Sequence, residues 1–307
     1  KYPDVIRDVV RISDIVLEVL DARFIDETRN LEIEKDVLLK GKILVYVLNK
    51  IDLVDVDKVK KALPKWMKPY VFVSATKGSG LKDLKARIKM EAKRILASQK
   101  SAGIGDSGFG ISKGKGKKDK NEEVVKDLES RKRVHVGVVG YPNTGKSSVI
   151  NFITRRGVAK TAKQAGFTKG MQKIRMSENI LVLDTPGVIP NSEYSTEESS
   201  FMKDVKVGAR TYSDVKNPED AVFYLMSAPA PKDENNLTDK EKSAIEEARG
   251  NSGAIEKFYG IEAKGDSEVL IEKLGKKKGF LGKGGKIDVD RTARIVLRDW
   301  QEGKIRV

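Results

Sequence analysis

The chain has 307 residues, 39% of them hydrophobic, which is enough to bury a full core and longer than one average domain, so two domains are expected. Lys and Arg number 60 against 45 Asp and Glu, a formal charge of +15 that favours a polyanionic partner, because each neutralised phosphate releases counterions. The absence of cysteine excludes a disulfide framework and sulfur-based zinc sites, and a lone histidine, His135, excludes multi-histidine metal sites and argues against a His-based triad.

No apolar run approaches the length of a bilayer span, and Lys1 to Arg11 carry no signal-peptide pattern, so a cytoplasmic, monomeric protein without a membrane partner is expected. Short β-branched runs alternate with amphipathic or charged stretches: Ile15 to Leu20, Ile43 to Leu48, Tyr70 to Val73, Val134 to Val139, Gln172 to Met176 and Ile180 to Leu183. The alternation predicts an α/β fold built on a largely parallel sheet covered on both faces.

The second run ends in Asn49-Lys50-Ile51-Asp52. The Asp52 carboxylate can accept hydrogen bonds from N1–H and the 2-amino group of guanine, donors that adenine lacks. A buried acid left unpaired is costly, so this tetrapeptide favours GTP over ATP. The Lys50 stem can lie across the base plane, and Asn49 can bridge the base to a phosphate loop. The third run ends in Ser74-Ala75-Thr76-Lys77, whose backbone N–H groups can meet guanine O6. Each tetrapeptide is weak alone; at consecutive strand ends they reinforce one another.

Between Lys100 and Asn121 the chain turns rich in Gly, Ser and Lys and too poor in apolar residues to pack. It reads as a flexible basic linker inside the first domain, with an RNA-contacting loop over Lys113 to Lys120 as the alternative. His135 follows at the start of the fourth run as a partly exposed strand residue. Five positions separate it from Gly140, about 16 Å in a strand, which makes it a poor catalytic base.

Gly140-Tyr141-Pro142-Asn143-Thr144-Gly145-Lys146-Ser147 fits G-x-x-x-x-G-K-[ST], directly after that strand and before a helix predicted over Lys146 to Thr154. In such a loop inward-turned N–H groups cradle phosphates, Lys146 supplies a cation to the β- and γ-phosphates, and the Ser147 hydroxyl ligates Mg²⁺. Asn143, Thr144 and Ser148 complete the phosphate-binding set. Gly166-Phe167-Thr168 offers Thr168 as a second hydroxyl on Mg²⁺ in a switch segment. Asp184-Thr185-Pro186-Gly187 follows the sixth run, so Asp184 can hold Mg²⁺ through water and the Gly187 N–H can meet a γ-phosphate. Lys146, Thr168, Gly187 and Asn143 are therefore the candidates for the hydrolytic step.

After Gly187 the β-rich runs stop and turn signals stand at Asn217-Pro218, Gly265-Asp266 and Gly284-Gly285. The expected domains are residues 1–190 and a helical, basic domain over residues 191–307. A helix near the C-terminus would place Arg291, Arg294 and Arg298 on one face and Ala293, Val296, Leu297 and Trp300 on the other. The apolar face would pack on its own domain and leave an arginine stripe outward.

In ordinary GTPases the phosphate loop comes first and the base-reading segments last, whereas here Asn49 to Asp52 and Ser74 to Lys77 precede Gly140. The order, with Asp21-Ala22-Arg23 after the first strand, resembles the circularly permuted YlqF-like family of large-ribosomal-subunit assembly GTPases over most of the chain. Gly284-Gly285-Lys286-Ile287-Asp288, Arg291-Thr292-Ala293-Arg294 and Leu297-Arg298-Asp299-Trp300 are similar to the end of that family's helical domain.

The resemblance implies a Mg²⁺-dependent GTPase that cycles between GTP and GDP and binds the large ribosomal subunit or its rRNA. The arginine stripe, with Lys276, Lys277, Lys278 and Lys283 nearby, would be the RNA-binding surface. Asn143 matches the asparagine that helps hold K⁺ in potassium-dependent relatives. Two departures stand out. Phe24-Ile25 occupy a stretch where many relatives carry proline. The residues before the first strand contain no histidine, so the role of the histidine found there in bacterial relatives does not carry over. Val188 stands where Ras-like GTPases place the glutamine that orients water, so unassisted hydrolysis should be slow. Two rival readings are a GTP-gated RNA-binding scaffold with negligible turnover and a permuted GTPase of the small subunit or of translation.

Overall fold

The computed structural model describes residues 2–101, 133–154, 172–184, 203–227 and 238–306. The chain separates into two compact units, Lys1–Ser192 and Glu193–Val307. The first is built on a six-stranded sheet: β1 (Ile15–Asp21), β2 (Ile43–Asn49), β3 (Tyr70–Phe72), β4 (Val134–Val139), β5 (Gln172–Ser177) and β6 (Ile180–Asp184), in the spatial order β3-β2-β1-β4-β6-β5. All neighbouring pairs are parallel except β5 with β6. That exception follows from the short Glu178-Asn179 turn, since a tight hairpin can join only antiparallel strands.

Parallel strands need crossovers, and helices supply them on both faces of the sheet. α1 (Tyr2–Ile12) and α3 (Leu31–Leu39) cover one face, reached from β1 through the short α2 (Ile25–Thr28). α5 (Leu81–Ser101) and α6 (Lys146–Thr154) cover the other, and α4 (Val56–Ala62) precedes β3. β1 shows the consequence, since all seven of its residues are buried. Ile15, Leu17 and Val19 join Leu84, Ile88, Val149 and Ile150 on one side, while Val16 and Leu20 join Val9, Val10, Ile33 and Val37 on the other. The strands expected from the sequence all form, and α6 has the predicted bounds. α5 runs through Ser101, so the first residues of the expected linker are helical, and the rest of it lies outside the described residues.

Glu18 breaks the apolar run of β1 and is fully buried. Its Oε1 accepts the Asn30 N–H at 2.7 Å, while Oε2 has no hydrogen-bond partner among the described residues. Close by, Glu34 is held by Arg29 through two bonds of 2.7 Å and by the Tyr46 hydroxyl at 3.1 Å. Burial and the neighbouring Glu34 charge push the Glu18 carboxyl well above the ordinary carboxylate range, against the Asn30 N–H and Arg29, which pull it down.

The native state therefore favours protonated Glu18, and its contribution to stability is complete below the ordinary carboxylate range and lost as pH rises towards the raised value. Glu18→Gln keeps an acceptor for Asn30 and cannot ionise. The variant should gain stability over the parent at about pH 9 and show little gain at about pH 4, as read by urea denaturation at both pH values. A gain independent of pH would contradict the assignment.

In the second unit α7 (Pro218–Met226), α8 (Asp239–Tyr259), α9 (Ser267–Lys278) and α10 (Val289–Gln301) pack around α7, which touches the other three. Two of the turn signals fall at helix starts: Pro218 opens α7, and Asp266 caps α9 by accepting the N–H groups of Glu268 and Val269. The third, Gly284-Gly285, lies in a short 3-10 turn ahead of α10, which Asp288 caps by accepting the Arg291 N–H.

Ala293, Val296, Leu297 and Trp300 on α10 are buried as their spacing required. The Trp300 indole N–H donates to the Lys206 carbonyl at 3.0 Å, and the Gln301 amide donates to the carbonyls of Val205 and Arg210 at 2.9 and 3.0 Å. No helix among the described residues is long and apolar enough to cross a membrane. Trp300→Ala should cost this unit about 3–5 kcal/mol, visible as an earlier transition in urea, because it opens a cavity and removes the indole bond to Lys206.

Candidate nucleotide site

Because β1, β2, β4 and β6 run parallel, their C-terminal ends share one edge of the sheet, where open α/β sheets hold ligands. Asp21 lies opposite Asn49 in the β1–β2 register, and Val138 opposite Asp184 in the β4–β6 register. His135 lies towards the other end of β4, its N–H donating to Asp14 at 2.9 Å.

The loop from Gly140 to Gly145 requires its glycines. Gly145 has φ 96° and Gly140 φ 148°. A Cβ at position 145 would stand 2.3 Å from Asn49 Nδ2, and one at position 140 would stand 2.4 Å from the Val19 carbonyl oxygen. Asn143 takes a left-handed backbone, with φ 59°. The Thr144 hydroxyl and the buried Lys146 ammonium both donate to the Tyr141 carbonyl, at 2.9 and 2.8 Å. α6 begins at Lys146, so the half-buried Ser147 and Ser148 stand in its first turn, where backbone N–H groups are unpaired within the helix.

The base-reading segments join this loop through Asn49. Its Nδ2 donates to the Thr144 carbonyl at 2.8 Å, and its Oδ1 accepts the Ala75 N–H at 3.2 Å. Asp52 is oriented by the Ser74 hydroxyl, which donates to Oδ1 at 2.5 Å. Ser74 Oγ also lies 3.2 Å from Thr76 Oγ1 and accepts the Lys77 N–H at 3.2 Å. Residues from three strand ends, far apart in sequence, are thus brought together.

Two members of this cluster carried no role in the reading of the sequence. Asp21 is fully buried and receives Lys50 Nζ at 2.6 Å, Arg23 Nε at 3.0 Å and Arg23 Nη2 at 2.7 Å. Burial pushes the Asp21 carboxyl up, but Lys50 and Arg23 overcome it and hold the group well below the ordinary carboxylate range. Burial lowers Lys50, with Asp21 opposing and Arg23 adding to the shift. The available signal was an acid ending a strand next to the strand that carries Asn49.

A family described as 50S ribosome-binding GTPase matches residues 135–254, a span that begins in β4 and leaves the base-reading segments upstream. An uncharacterized GTP-binding protein of Methanocaldococcus jannaschii is 34% identical over 98% of this chain and 65% of its own length. The nuclear GTP-binding protein NUG1 of Saccharomyces cerevisiae is 28% identical over 99% of this chain and 55% of its own. The crystal structure of GNP-bound YlqF from T. maritima shares the fold, with a TM-score of 0.53 and 22% identity over 98% of this chain and 94% of that one.

The fold is that of a P-loop GTPase in circularly permuted order. The chain spans less than two thirds of the M. jannaschii relative and about half of the yeast one.

In this permuted fold Asp184 ends β6, whereas Thr168, Gly187 and Val188 lie outside the described residues. The basic residues of the second unit differ from the expected outward stripe. Arg291 is exposed and stacks over Phe280 at 4.3 Å, but Arg294 and Arg298 are half-buried. Arg294 binds Asp290 at 2.7 and 2.9 Å and donates to the carbonyls of Tyr212 and Ser213, while Arg298 reaches Asp299 at 3.2 Å. Acids one and four positions away and the carbonyls of Tyr212 and Ser213 claim these two guanidinium groups, a competition that helical spacing of the arginines alone does not reveal. Lys276 pairs with Glu272, Lys277 donates to the Tyr259 carbonyl at 2.7 Å, and Lys278 is exposed. The Lys283 side chain is outside the described residues.

Gly145→Ala should weaken binding of a fluorescent GDP analogue by about 2 kcal/mol, roughly 30-fold in Kd, because the new methyl strains the backbone and drives Asn49 away from Thr144. Unchanged affinity in a titration would mean that the two loops are not coupled through this contact.

Proposed function

We propose that the chain is a Mg²⁺-dependent switch that binds and hydrolyses GTP and acts in assembly of the large ribosomal subunit through rRNA. The observation that carries the nucleotide part is the pair of hydrogen bonds by which Asn49 donates to the Thr144 carbonyl and accepts from the Ala75 N–H, tying the candidate guanine-reading loops to the candidate phosphate loop. In support of the ribosomal part stand the description of the matching family, the nuclear GTP-binding protein among the relatives, and a formal charge of +15.

The donor set suits Mg²⁺, which prefers oxygen: Ser147 opens α6 beside the phosphate loop, and Asp184 ends β6 at the same edge of the sheet. Ser147, Asp184 and Thr168 would hold the ion, which supplies charge neutralisation on the β- and γ-phosphates. Lys146 would add a second positive charge there, and the Gly187 N–H would contact the γ-phosphate. With Val188 unable to orient water, turnover rests on outside help. Asn143 would hold K⁺ beside the phosphates, where a cation stands in for an arginine finger.

Residues 1–190 form the switch in this reading, and residues 191–307 the RNA-binding part. Arg291, Lys276, Lys277 and Lys278 are exposed among the cations singled out, with Lys283 in the following loop.

GTP hydrolysis measured in K⁺ and in Na⁺ buffer should be faster in K⁺ by about tenfold, with Asn143→Ala erasing the difference. Equal rates in both salts would remove K⁺ from the mechanism. Purified large subunits should stimulate turnover while small subunits do not. Stimulation by small subunits would favour a role there, and turnover negligible under every condition would favour a GTP-gated scaffold.

A further inference from the structure

The geometry points to Asp21 as a positioning residue for guanine nucleotides, one that acts by anchoring the tip of Lys50. The inference rests on the guanine-site reading given above and assigns it an element outside the base-reading and phosphate-binding loops.

Lys50 takes φ 65° and ψ 31°, a left-handed conformation that non-glycine residues seldom adopt. Among the described residues two of the three non-glycine residues with positive φ, Lys50 and Asn143, lie at this one site. Such a conformation persists only where its surroundings over-determine it. For Lys50 the surroundings are the carboxylate of Asp21, 2.6 Å from Nζ, and that carboxylate is itself immobile.

Asp21 is fixed from four directions. Its N–H donates to Thr28 Oγ1 at 3.1 Å, and the next residue, Ala22, donates its N–H to the carbonyl of Asn49 at 2.8 Å, directly before Lys50. The Arg23 backbone N–H and side chain close on the carboxylate oxygens at 3.1, 3.0 and 2.7 Å. β1 lies between β2 and β4 in the sheet. The Lys50 stem is therefore drawn from the end of the base-reading strand towards the strand that carries the phosphate loop. Stretched this way it forms a wall against which a flat base can lie, while Asp52, held by Ser74, reads the base edge. Without the anchor a long, rotamer-rich side chain must be ordered by the nucleotide itself, and that ordering weakens binding.

The test is a double-mutant cycle on the full chain with Mg²⁺, using a fluorescent GDP analogue displaced by GDP or by inosine diphosphate, which lacks the 2-amino group. Asp21→Asn should weaken both by the same factor, about tenfold, because the stem meets the base plane and not the 2-amino group. Asp52→Asn, the control, should weaken GDP more than inosine diphosphate. In a Lys50→Met background Asp21→Asn should add less than about twofold.

Equal losses in both backgrounds would overturn the inference, as would no loss at all. A GDP-selective loss would do the same, since it would mean that the substitution merely deforms the loop around Asp52. Arg23→Ala removes the side-chain bonds that fix Asp21 but leaves the Lys50–Asp21 bond, and should weaken GDP and inosine diphosphate equally and by less than Lys50→Met does, even if Asp21→Asn does not fold. A GDP-selective loss, or one larger than that of Lys50→Met, would overturn the anchor. If the unmodified protein binds neither nucleotide, the guanine-site reading fails, and this inference with it.

Discussion

The carboxamide of Asn49 has one donor bond to the phosphate loop and one acceptor bond from the loop after β3, and each arm uses a different atom of the same planar group. A carboxamide can do this because it carries a donor and an acceptor at fixed geometry; an aspartate could accept from Ala75 but would face the Thr144 carbonyl with a second acceptor. The rest of the site is arranged around this link. Gly145 must lack a side chain because Asn49 occupies the space, and β1 must end beside β2 so that Asp21 meets Lys50. With 3% of Asn49 exposed, both bonds are largely shielded from competing water.

Circular permutation is compatible with this arrangement because the sheet is assembled by strand adjacency and not by chain order. β1 touches both β2 and β4, and those neighbours carry the base-reading and phosphate-binding loops. The same edge of the sheet therefore gathers the same chemistry although the sequence presents it in reversed halves. The buried and half-buried polar groups at that edge are paired among themselves, Asp21 with two cations and Asp52 with Ser74, which offsets an otherwise costly concentration of charge.

Much of the fold was legible because the β-branched runs are short and sharply bounded, and because a glycine-rich loop between a strand and a helix admits few alternatives. The antiparallel β5 was not separately legible, since an apolar pattern carries no direction; the two-residue turn before β6 holds that information. Glu18 was read as part of an apolar strand, and its burial depends on Asn30 supplying an N–H from a distant helix start. At the site, Asn49, Ala75 and Thr144 meet because motif spacing already implied strand-end positions. The bonds of Asp21 were hidden because its partners are Arg23, which is local, and Lys50, which is 29 residues away just past the end of the neighbouring strand. The orientation of Arg294 was hidden for a related reason, since helical periodicity predicts a face but not the ion pair with Asp290 or the carbonyls of Tyr212 and Ser213 that claim it.

The Asn49–Thr144 contact joins residues 95 positions apart. A chain synthesised from its N-terminus presents β1, β2 and β3, with their base-reading loops, well before β4 and the phosphate loop exist. In the unpermuted order the phosphate loop is made first and can take up the phosphates of a nucleotide while the remaining strands are still to come. Here the half that emerges early carries the Asn49–Asp52 and Ser74–Lys77 loops without the glycine-rich loop that begins at Gly140. The nascent chain must therefore complete its sheet across a long connection before a nucleotide can reward it, so folding precedes ligand capture, and the early half must keep its exposed β1 edge from pairing wrongly until β4 arrives.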